Sequence, residues 1–304
     1  TTGSAETRMY PYRIRQVCSR AMPALLLISL LLPTGDTHAV AESDSPRLVA
    51  LAPNLAELVF AAGAGEQLVG VVSHSDFPAA VLELPRVGDA FRVDYETLRR
   101  LQPDVVMTWE SGTPQSTVDK LISLGFRVVA FEARRLDEIP LELERIGELA
   151  GTRKDAAAAA AELREGIAAL RERYMDRDRL SVFYQISANP WFTVSGEHVI
   201  SEVLTICGGD NVFAATPGVA PAVSFESVLR RNPQVIIAGT KNSEWRQPWQ
   251  PWDSVQAVAS GAMYSVNPDF VNRATPRLLA GAAQICAVLE EARGQSGHTL
   301  ASDH

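Results

Sequence analysis

The feature that most constrains the fold is an alanine-rich segment at residues 152–177, TRKDAAAAAAELREGIAALRERYMDR. It contains six consecutive alanines and no proline, so its summed helix propensity is high. A helix of this length spans roughly 35–40 Å, which is about the width of a small domain. One apolar stripe runs along it and predicts packing along one side. The stripe consists of Ala159, Leu163, Ile167, Leu170 and Tyr174.

A helix of this length either covers the surface of a single domain or joins two domains. The sequences on its two sides resemble each other, because residues 94–96 (DYE) and 224–226 (SFE) each open a helical pattern. In both passages the glutamate stands seven residues before a proline, which is followed by an apolar strand pattern. Such a repeat predicts two lobes built on one supersecondary plan, with the long helix between them.

Short apolar runs alternate with helical patterns on both sides of the long helix. This alternation is typical of parallel sheets covered by helices on both faces. We therefore predict an α/β protein of two lobes, each with a central, mostly parallel sheet flanked by helices, joined by one long rigid backbone helix. The expected divisions are an N-terminal lobe at residues 46–135, a helical linker at 136–178 that includes the backbone helix 152–177, a C-terminal lobe at 179–293 and a disordered tail at 294–304.

The first 41 residues are expected to be an export signal outside the fold. Arg13, Arg15 and Arg20 precede the apolar run at residues 24–32, and residues 39–41 (AVA) supply the small-x-small pattern that a signal peptidase accepts. The run is too short to span a bilayer. Cys18 lies before the run, whereas a lipid-anchoring cysteine follows it. A soluble exported protein is therefore expected rather than a lipoprotein.

Charge and cysteine content narrow the class further. A net charge of −8 without clustered Lys and Arg argues against a nucleic-acid partner. After the export signal the chain keeps two cysteines, Cys207 and Cys286. In an oxidising compartment an even pair favours a disulfide, and the alternative is two separately buried thiols.

No recognisable catalytic set is found in the sequence. The glycines at residues 63–70 superficially resemble a dinucleotide loop, but they follow a helical pattern instead of opening one. No nucleophile elbow, phosphate loop or His-Glu-x-x-His motif occurs. His74 and His198 are the only histidines in the central part of the chain, too few for a three-histidine metal site. We therefore predict a protein that is not an enzyme and binds no metal, with a secreted hydrolase as the alternative from another class.

Aromatic and hydrogen-bonding residues instead follow the predicted strands. Because carboxyl ends of parallel strands lie at one edge of a sheet, facing lobes would enclose a cleft lined by these residues. Flat apolar surfaces with a few polar groups suit a large, rigid, mostly uncharged ligand. The predicted ligand-binding residues are Asn54, His74, Phe91, Trp109, Trp191, Phe192, Asp269, Phe270 and Arg273.

Glu96 and Glu226 occupy equivalent places in the two halves. A carboxylate in the first turn of a helix is favoured by the helix dipole and needs no partner. Its repetition in both lobes also fits a pair of anionic docking points for a two-fold symmetric partner that carries arginines.

The chain resembles the cobalamin-binding proteins of the helical-backbone (class III) periplasmic solute-binding superfamily. The resemblance extends from about residue 47 to residue 289. It rests on the motifs at residues 51–54 (LAPN), 57–63 (ELVFAAG), 73–78 (SHSDFP), 102–109 (QPDVVMTW), 189–192 (NPWF), 207–213 (CGGDNVF) and 273–277 (RATPR).

The resemblance implies a two-lobed binder with little hinge motion, which captures cobalamin or a related corrinoid and hands it to the permease dimer of an ABC importer. By the same resemblance Glu96 and Glu226 dock on the permease, and Cys207 and Cys286 form a disulfide. It also implies a monomer when free, with no cofactor besides the bound ligand.

Four predicted ligand residues fall at ligand contacts of these relatives, and the sequence also departs from their pattern. His74 stands where a tyrosine is usual, and Ala90 and Ala220 stand where the relatives have tryptophan, with Phe91 and Trp191 next to them. These departures leave a ferric siderophore or haem as the alternative ligand. The four matching residues are Trp109, Phe192, Asp269 and Arg273.

Overall fold

The computed structural model describes residues 45–89 and 92–301. The predicted export signal at residues 1–41 and the predicted ligand residue Phe91 lie outside these ranges. Within the described residues, no helix combines the length and apolar character needed to cross a membrane.

The N-terminal lobe is built on a four-stranded sheet in which every neighbouring pair is parallel. Its strands are almost entirely apolar, as expected for strands covered on both faces, and β1 is fully buried. A short 3₁₀ helix precedes β2 and another follows it, at Gly65–Gln67 and Ala79–Glu83. The elements are β1 (Leu48–Ala50), α1 (Pro53–Ala61), β2 (Leu68–Val71), α2 (Tyr95–Leu101), β3 (Val105–Trp109), α3 (Gln115–Ser123) and β4 (Val128–Phe131).

Two helices lead from this lobe to the next, α4 (Glu138–Ala150) and α5 (Arg153–Tyr174). The C-terminal lobe has a second four-stranded parallel sheet and an antiparallel hairpin whose two strands have two residues each. A 3₁₀ helix at Ser243–Trp249 carries two of its tryptophans. The elements are β5 (Leu180–Gln185), β6 (Ser187–Ala188), β7 (Trp191–Phe192), α6 (Val199–Ile206), β8 (Gly209–Asn211), α7 (Phe225–Arg231), β9 (Val235–Gly239), α8 (Gln256–Ala259), β10 (Met263–Val266), α9 (Pro268–Val271) and α10 (Leu278–Ala301).

The two sheets have the same strand order, which confirms the predicted repeat. The first sheet runs β2-β1-β3-β4, and the second runs β8-β5-β9-β10. In each lobe, therefore, the first strand lies between the second and the third. Capping is repeated as well, because Asp94 accepts hydrogen bonds from the first turn of α2 and Ser224 does the same for α7.

The predicted long helix is present as α5, and it contacts both lobes. At its start the Thr152 hydroxyl donates to the Ala62 carbonyl oxygen in the N-terminal lobe, at 2.7 Å. Further along, Arg171 forms an ion pair with Glu202 of α6 at 2.8 Å. One continuous hydrophobic core includes α5 and residues of both lobes. The helix therefore fixes the two sheets relative to each other.

The buried face of α5 differs from the predicted stripe at its alanine end. Ala156 and Ala160 are buried, whereas Ala159 is only partly buried. A run of six alanines shows no polarity difference between its faces, so only packing against α4 selects the buried side. The rest of the stripe is buried as predicted, namely Leu163, Ile167, Leu170 and Tyr174.

Cys207 and Cys286 form the disulfide, which joins the end of α6 to α10. In the chain-entropy account, closing a loop of this length stabilises the fold by about 4 kcal/mol. The alternative of two separate thiols is excluded.

The C-terminal end of the chain differs from the prediction. Instead of a disordered tail from residue 294, α10 continues to Ala301. Helix extension from a packed segment adds one backbone hydrogen bond per residue. Arg293 also fixes this part of the helix, because its guanidinium donates to the backbone oxygens of Cys207 and Asp178.

Several short elements have no clear strand or helix pattern in the sequence. Among them are the hairpin β6–β7, the strand β8 and the helix α9. Strand β8 has the sequence Gly-Asp-Asn, which has low strand propensity. It pairs with β5 because the preceding helix delivers it to the sheet edge.

Candidate functional site

A cleft of about 350 Å³ lies between the two lobes. This volume is in the usual range for small-molecule sites. The N-terminal lobe lines it with residues that follow the carboxyl ends of β1, β3 and β4, and the C-terminal lobe with the start of α6 and two loops. The lining residues are Leu51, Ala52, Pro53, Asn54, Trp109, Ser111, Gly112, Glu132, Ala133 and Arg134 on one side and His198, Val199, Val219, Asn272, Arg273 and Ala274 on the other.

The N-terminal wall of the cleft lies at the switch point of its sheet. The chain passes from β1 to β2 on one side and returns to β3 on the other, which leaves a crevice at their carboxyl ends. Asn54, in the first turn of α1, and Trp109, the last residue of β3, both line this crevice. The sequence predicted both as ligand residues, and the fold brings them together.

Glu132 braces the loop that follows Trp109. Its carboxylate accepts hydrogen bonds from the backbone N–H and the hydroxyl of Ser111, at 2.8 and 3.1 Å. The Trp109 backbone N–H donates to the Thr113 hydroxyl at 3.2 Å. These hydrogen bonds fix the backbone of the loop at the point where Trp109 lines the cleft.

The C-terminal wall contributes polar groups from different elements. His198 is the N-cap residue of α6, and its Nδ1 accepts a hydrogen bond from the Ile200 backbone N–H at 3.1 Å. Asn272 follows α9, and its Oδ1 accepts a hydrogen bond from the Tyr184 hydroxyl at 3.4 Å. Burial raises the pKa of Tyr184, so this hydroxyl remains a proton donor. The wall therefore offers a histidine ring and an amide that the protein itself orients.

Arg273 lines the cleft, but its guanidinium is engaged by the opposite lobe. It donates to Glu57 Oε1 at 2.6 Å, to Asp76 Oδ1 at 2.7 Å and to the His74 carbonyl oxygen at 3.0 Å. Glu57 also accepts hydrogen bonds from the Thr275 hydroxyl at 3.0 Å. We call this group the inter-lobe clasp, which comprises Glu57, Asp76, Phe77, Phe270, Arg273, Thr275 and Arg277.

The clasp has a second cation at its outer side. Arg277 donates to Glu57 Oε1 at 3.1 Å, and its guanidinium lies 4.0 Å from the ring centroid of Phe77 and 5.0 Å from that of Phe270. The Glu57 side chain is only 2% exposed, and these partners supply the hydrogen bonds that its buried carboxylate oxygens need. The lobes are thus joined by buried, charge-assisted hydrogen bonds in addition to α5.

Electrostatics within the clasp favour the ionised states of Asp76 and Arg273. Burial alone would raise the pKa of Asp76, but the hydrogen bond and charge of Arg273 outweigh it and hold that pKa below its ordinary value. Burial alone would lower the pKa of Arg273, but Asp76 and Glu57 raise it. Arg273 therefore remains cationic and bound to the N-terminal lobe.

Five predicted ligand residues do not line the cleft. His74 is exposed, with a left-handed backbone (φ 65°), and contributes only its carbonyl oxygen to the clasp. Asp269 forms an ion pair with Lys241 at 2.5 Å, and Phe270 packs on Arg277. The remaining two, Trp191 and Phe192, form the second strand of the hairpin.

Trp191 belongs to a cluster of aromatic rings at the carboxyl ends of β5 and β9. Its ring centroid lies 4.8 Å from that of Phe225 and 5.2 Å from that of Trp249. Trp249 is fully buried and donates from Nε1 to Gln185 Oε1, at 2.8 Å. We call Phe183, Trp191, Phe225 and Trp249 the aromatic plug. The plug belongs to a hydrophobic core cluster of the C-terminal lobe.

Glu96 and Glu226 are exposed in the first turns of α2 and α7. In the described part of the chain neither carboxylate forms an ion pair. The helices that carry them are held by equivalent caps, and hydrogen bonds from Thr97 keep the pKa of the capping Asp94 below its ordinary value. The two glutamates are thus free to meet a partner at the surface.

The sequence reasoning did not identify His198 or Glu132 as cleft residues. His198 lies at the start of a helical pattern, where a cap would have been expected, but histidine is an uncommon cap. Glu132 follows β4, a strand whose end was not considered part of the cleft. The sequence signal that could have identified them is their position, because Glu132 directly follows a strand and His198 directly precedes a helix.

Comparison with known proteins identifies the family to which the chain belongs. Residues 48–271 match the family model described as periplasmic binding protein, and the chain belongs to this family. Vitamin B12-binding protein of Vibrio cholerae serotype O1 is 34% identical over 250 residues, which cover 82% of this chain and 91% of that protein.

Solved structures agree with this assignment. The crystal structure of the periplasmic vitamin B12-binding protein BtuF of Vibrio cholerae has a TM-score of 0.75 at 34% identity and covers 82% of this chain and 98% of that chain. The periplasmic heme-binding protein RhuT from Roseiflexus sp. RS-1 has a TM-score of 0.71 at 21% identity, over 82% and 99% of the two chains. The second comparison concerns the fold alone.

Proposed function

We propose that this protein is a periplasmic solute-binding protein that captures cobalamin or a related corrinoid in the inter-lobe cleft and delivers it to the permease of an ABC importer. The observation that carries the proposal is the cleft itself, which opens at the switch point of one sheet and is closed by the other lobe. It is supported by the relatives named above as vitamin B12-binding proteins.

The chemistry of the cleft fits a large, neutral, amide-rich guest. Trp109 supplies a flat apolar surface, while Asn54 and Asn272 supply carboxamides. The guanidinium of Arg273 is already bound to two carboxylates, so it is not available as a free cation for an anionic ligand. This argues for a corrinoid and against the alternative of a ferric siderophore that carries a net negative charge.

Titration of the purified protein with cyanocobalamin, followed by calorimetry, tests the ligand. Binding with a stoichiometry near one and saturation below tens of micromolar is expected. Absence of binding at tens of micromolar cyanocobalamin would exclude a corrinoid as the ligand. Parallel titrations with ferric haem and a ferric siderophore identify the ligand in that case, since a haem binder shows a ligand-dependent absorption band.

Delivery is proposed to occur through Glu96 and Glu226, which would meet arginines on the two halves of a permease dimer. Their repetition in capped helices of both lobes supports this role. The double variant Glu96→Ala/Glu226→Ala is expected to keep its affinity for cyanocobalamin and to lose vitamin uptake in cells.

Glu162 and Glu165 provide a matched control, because both are exposed glutamates on α5. The variant Glu162→Ala/Glu165→Ala makes the same change in net charge and should leave uptake intact. Equal uptake by both double variants would contradict the docking role. A secreted hydrolase, in contrast, would keep its activity in the docking variant.

The remaining features of the proposal follow from this function. The protein would work in the periplasm after removal of residues 1–41, as a monomer when free. It would have no catalytic activity, nucleic-acid partner or cofactor, and the corrinoid would be its cargo.

A further inference from the structure

His198 has a fixed hydrogen-bonding state that follows from its place in the fold. As the N-cap residue of α6 it accepts the Ile200 backbone N–H at Nδ1, at 3.1 Å. A neutral imidazole has one acceptor nitrogen and one N–H donor. Because Nδ1 is the acceptor, the proton resides on Nε2. The helix cap thus selects one tautomer of the ring.

The ring is also uncharged under ordinary conditions. Burial lowers the pKa of His198 to about 4. A protonated ring would lose the cap as well, since Nδ1 would then carry a hydrogen facing the Ile200 N–H. The side chain is therefore a neutral N–H donor at neutral pH.

The Nε2–H group is available to a molecule in the cleft. His198 lines the cleft, and within the described part of the chain its Nε2 has no hydrogen-bond partner. Asn54 lines the cleft from the other lobe, and its amide likewise has no partner among the described residues. Both residues stand at the first turns of helices, α1 and α6. Two unpaired polar side chains thus reach the cleft from opposite walls.

We propose that His198 donates from Nε2–H to a carboxamide carbonyl oxygen of the bound corrinoid and is not a ligand of its metal. This inference rests on the proposed function. Corrinoids carry amide side chains around a flat macrocycle, so carbonyl acceptors surround the ring. A nitrogen that already carries a proton has no lone pair in the ring plane for cobalt or for a haem iron. The same residue therefore favours amide-bearing macrocycles and disfavours metal coordination.

Two conservative substitutions test separately the two roles of His198, namely helix capping through Nδ1 and hydrogen-bond donation to the ligand through Nε2–H. In His198→Asn the amide oxygen occupies the place of Nδ1, so the cap is kept and the distal donor is lost. In His198→Gln the terminal amide reaches the place of Nε2, so the donor is kept and the cap is lost. We expect Asn to lower cyanocobalamin affinity about tenfold with an unchanged melting temperature. We expect Gln to keep affinity within about threefold while the melting temperature falls by a few degrees.

A spectroscopic measurement tests coordination separately. When the unsubstituted protein binds aquocobalamin, the visible spectrum of the corrinoid should stay that of the water-ligated cobalt. A shift toward the spectrum of imidazole-ligated cobalt that disappears in His198→Asn would overturn the assignment of His198 as a donor.

The outcomes distinguish this inference from the function on which it rests. If the unsubstituted protein fails to bind cyanocobalamin, the proposed function is wrong and the inference is wrong with it. If the protein binds but His198→Asn binds equally well, or His198→Gln loses more affinity than His198→Asn, only the role of His198 is wrong.

Discussion

The two lobes have the same strand order but use the carboxyl edges of their sheets in different ways. In the N-terminal lobe the edge where β1 and β3 separate is open and forms a wall of the cleft, with Trp109 at its surface. In the C-terminal lobe the start of α6 and the segment after β10 line the cleft, while the rings of the aromatic plug pack on one another beside β5. Trp109 at the end of β3 therefore lies at the cleft surface, whereas Trp249, which follows β9, is buried.

This difference shows that lobes of the same topology can place their aromatic residues differently, because the segments that follow equivalent strands decide whether a ring lies in the cleft or in the core. After β3 the chain makes a short braced loop at Ser111. After β9 it makes the 3₁₀ helix Ser243–Trp249, which inserts Trp249 below the edge. The C-terminal lobe then reaches the ligand cleft through the start of α6 and the loop at Asn272.

The largest effect is expected from Trp249→Ala. Trp249 is fully buried, and its removal leaves a cavity in the plug and an unpaired Gln185 Oε1. Loss of a buried tryptophan lowers the free energy of unfolding by about 3–5 kcal/mol. Urea denaturation followed by circular dichroism measures it. A loss below about 1 kcal/mol would mean that the plug is not part of the core.

Glu57→Ala is expected to have the next largest effect, because it leaves Arg273 and Arg277 without their shared carboxylate. Removal of one partner from a buried ion-pair network lowers the free energy of unfolding by about 3 kcal/mol. Glu66→Ala serves as the control, since Glu66 is an exposed glutamate of the same lobe. Equal stability of the two variants would show that the clasp does not hold the two lobes together.

The smallest of the three effects is expected from Trp109→Ala, and it should concern affinity instead of stability. Trp109 is half-buried at the open edge, so its loss removes a contact surface for the ligand. A decrease in cyanocobalamin affinity of about tenfold, equivalent to about 1.4 kcal/mol, is expected from calorimetry.

Trp252→Ala is the matched control for this measurement, because Trp252 is 37% exposed and packs on Phe225 next to the plug. It should leave the affinity unchanged. If Trp252→Ala weakens binding as much as Trp109→Ala, the two edges do not differ in function.

Much of the architecture was predictable because it depends on local patterns. Asp94 and Ser224 mark the starts of their helices, and the repeated spacing from glutamate to proline indicates two related lobes. The apolar runs are short and bounded by glycine or proline, which makes buried parallel strands the consistent interpretation. Where these signals are weak, as in β8, the element was missed.

The candidate site was only partly predictable. Asn54, Trp109 and Arg273, which follow strands or occupy a recognisable motif, line the cleft, and their role as ligand contacts stays a prediction. Trp191 carries the same signal as Trp109, yet it packs against Phe225 and Trp249. A single sequence does not distinguish an aromatic ring that awaits a ligand from one that packs on other rings.

The sequence by itself determined the two repeated α/β lobes, the long helix between them and the exposed glutamates at their equivalent helix starts. These features follow from periodicity, capping and propensity, which act within a few residues. Only the tertiary structure decided that Trp109 lies in the cleft while Trp191 and Trp249 pack in the core, that Arg273 bridges the lobes and that His198 lines the cleft. These outcomes depend on contacts between residues more than a hundred positions apart or on the competition of several side chains for one space, and no local pattern encodes either.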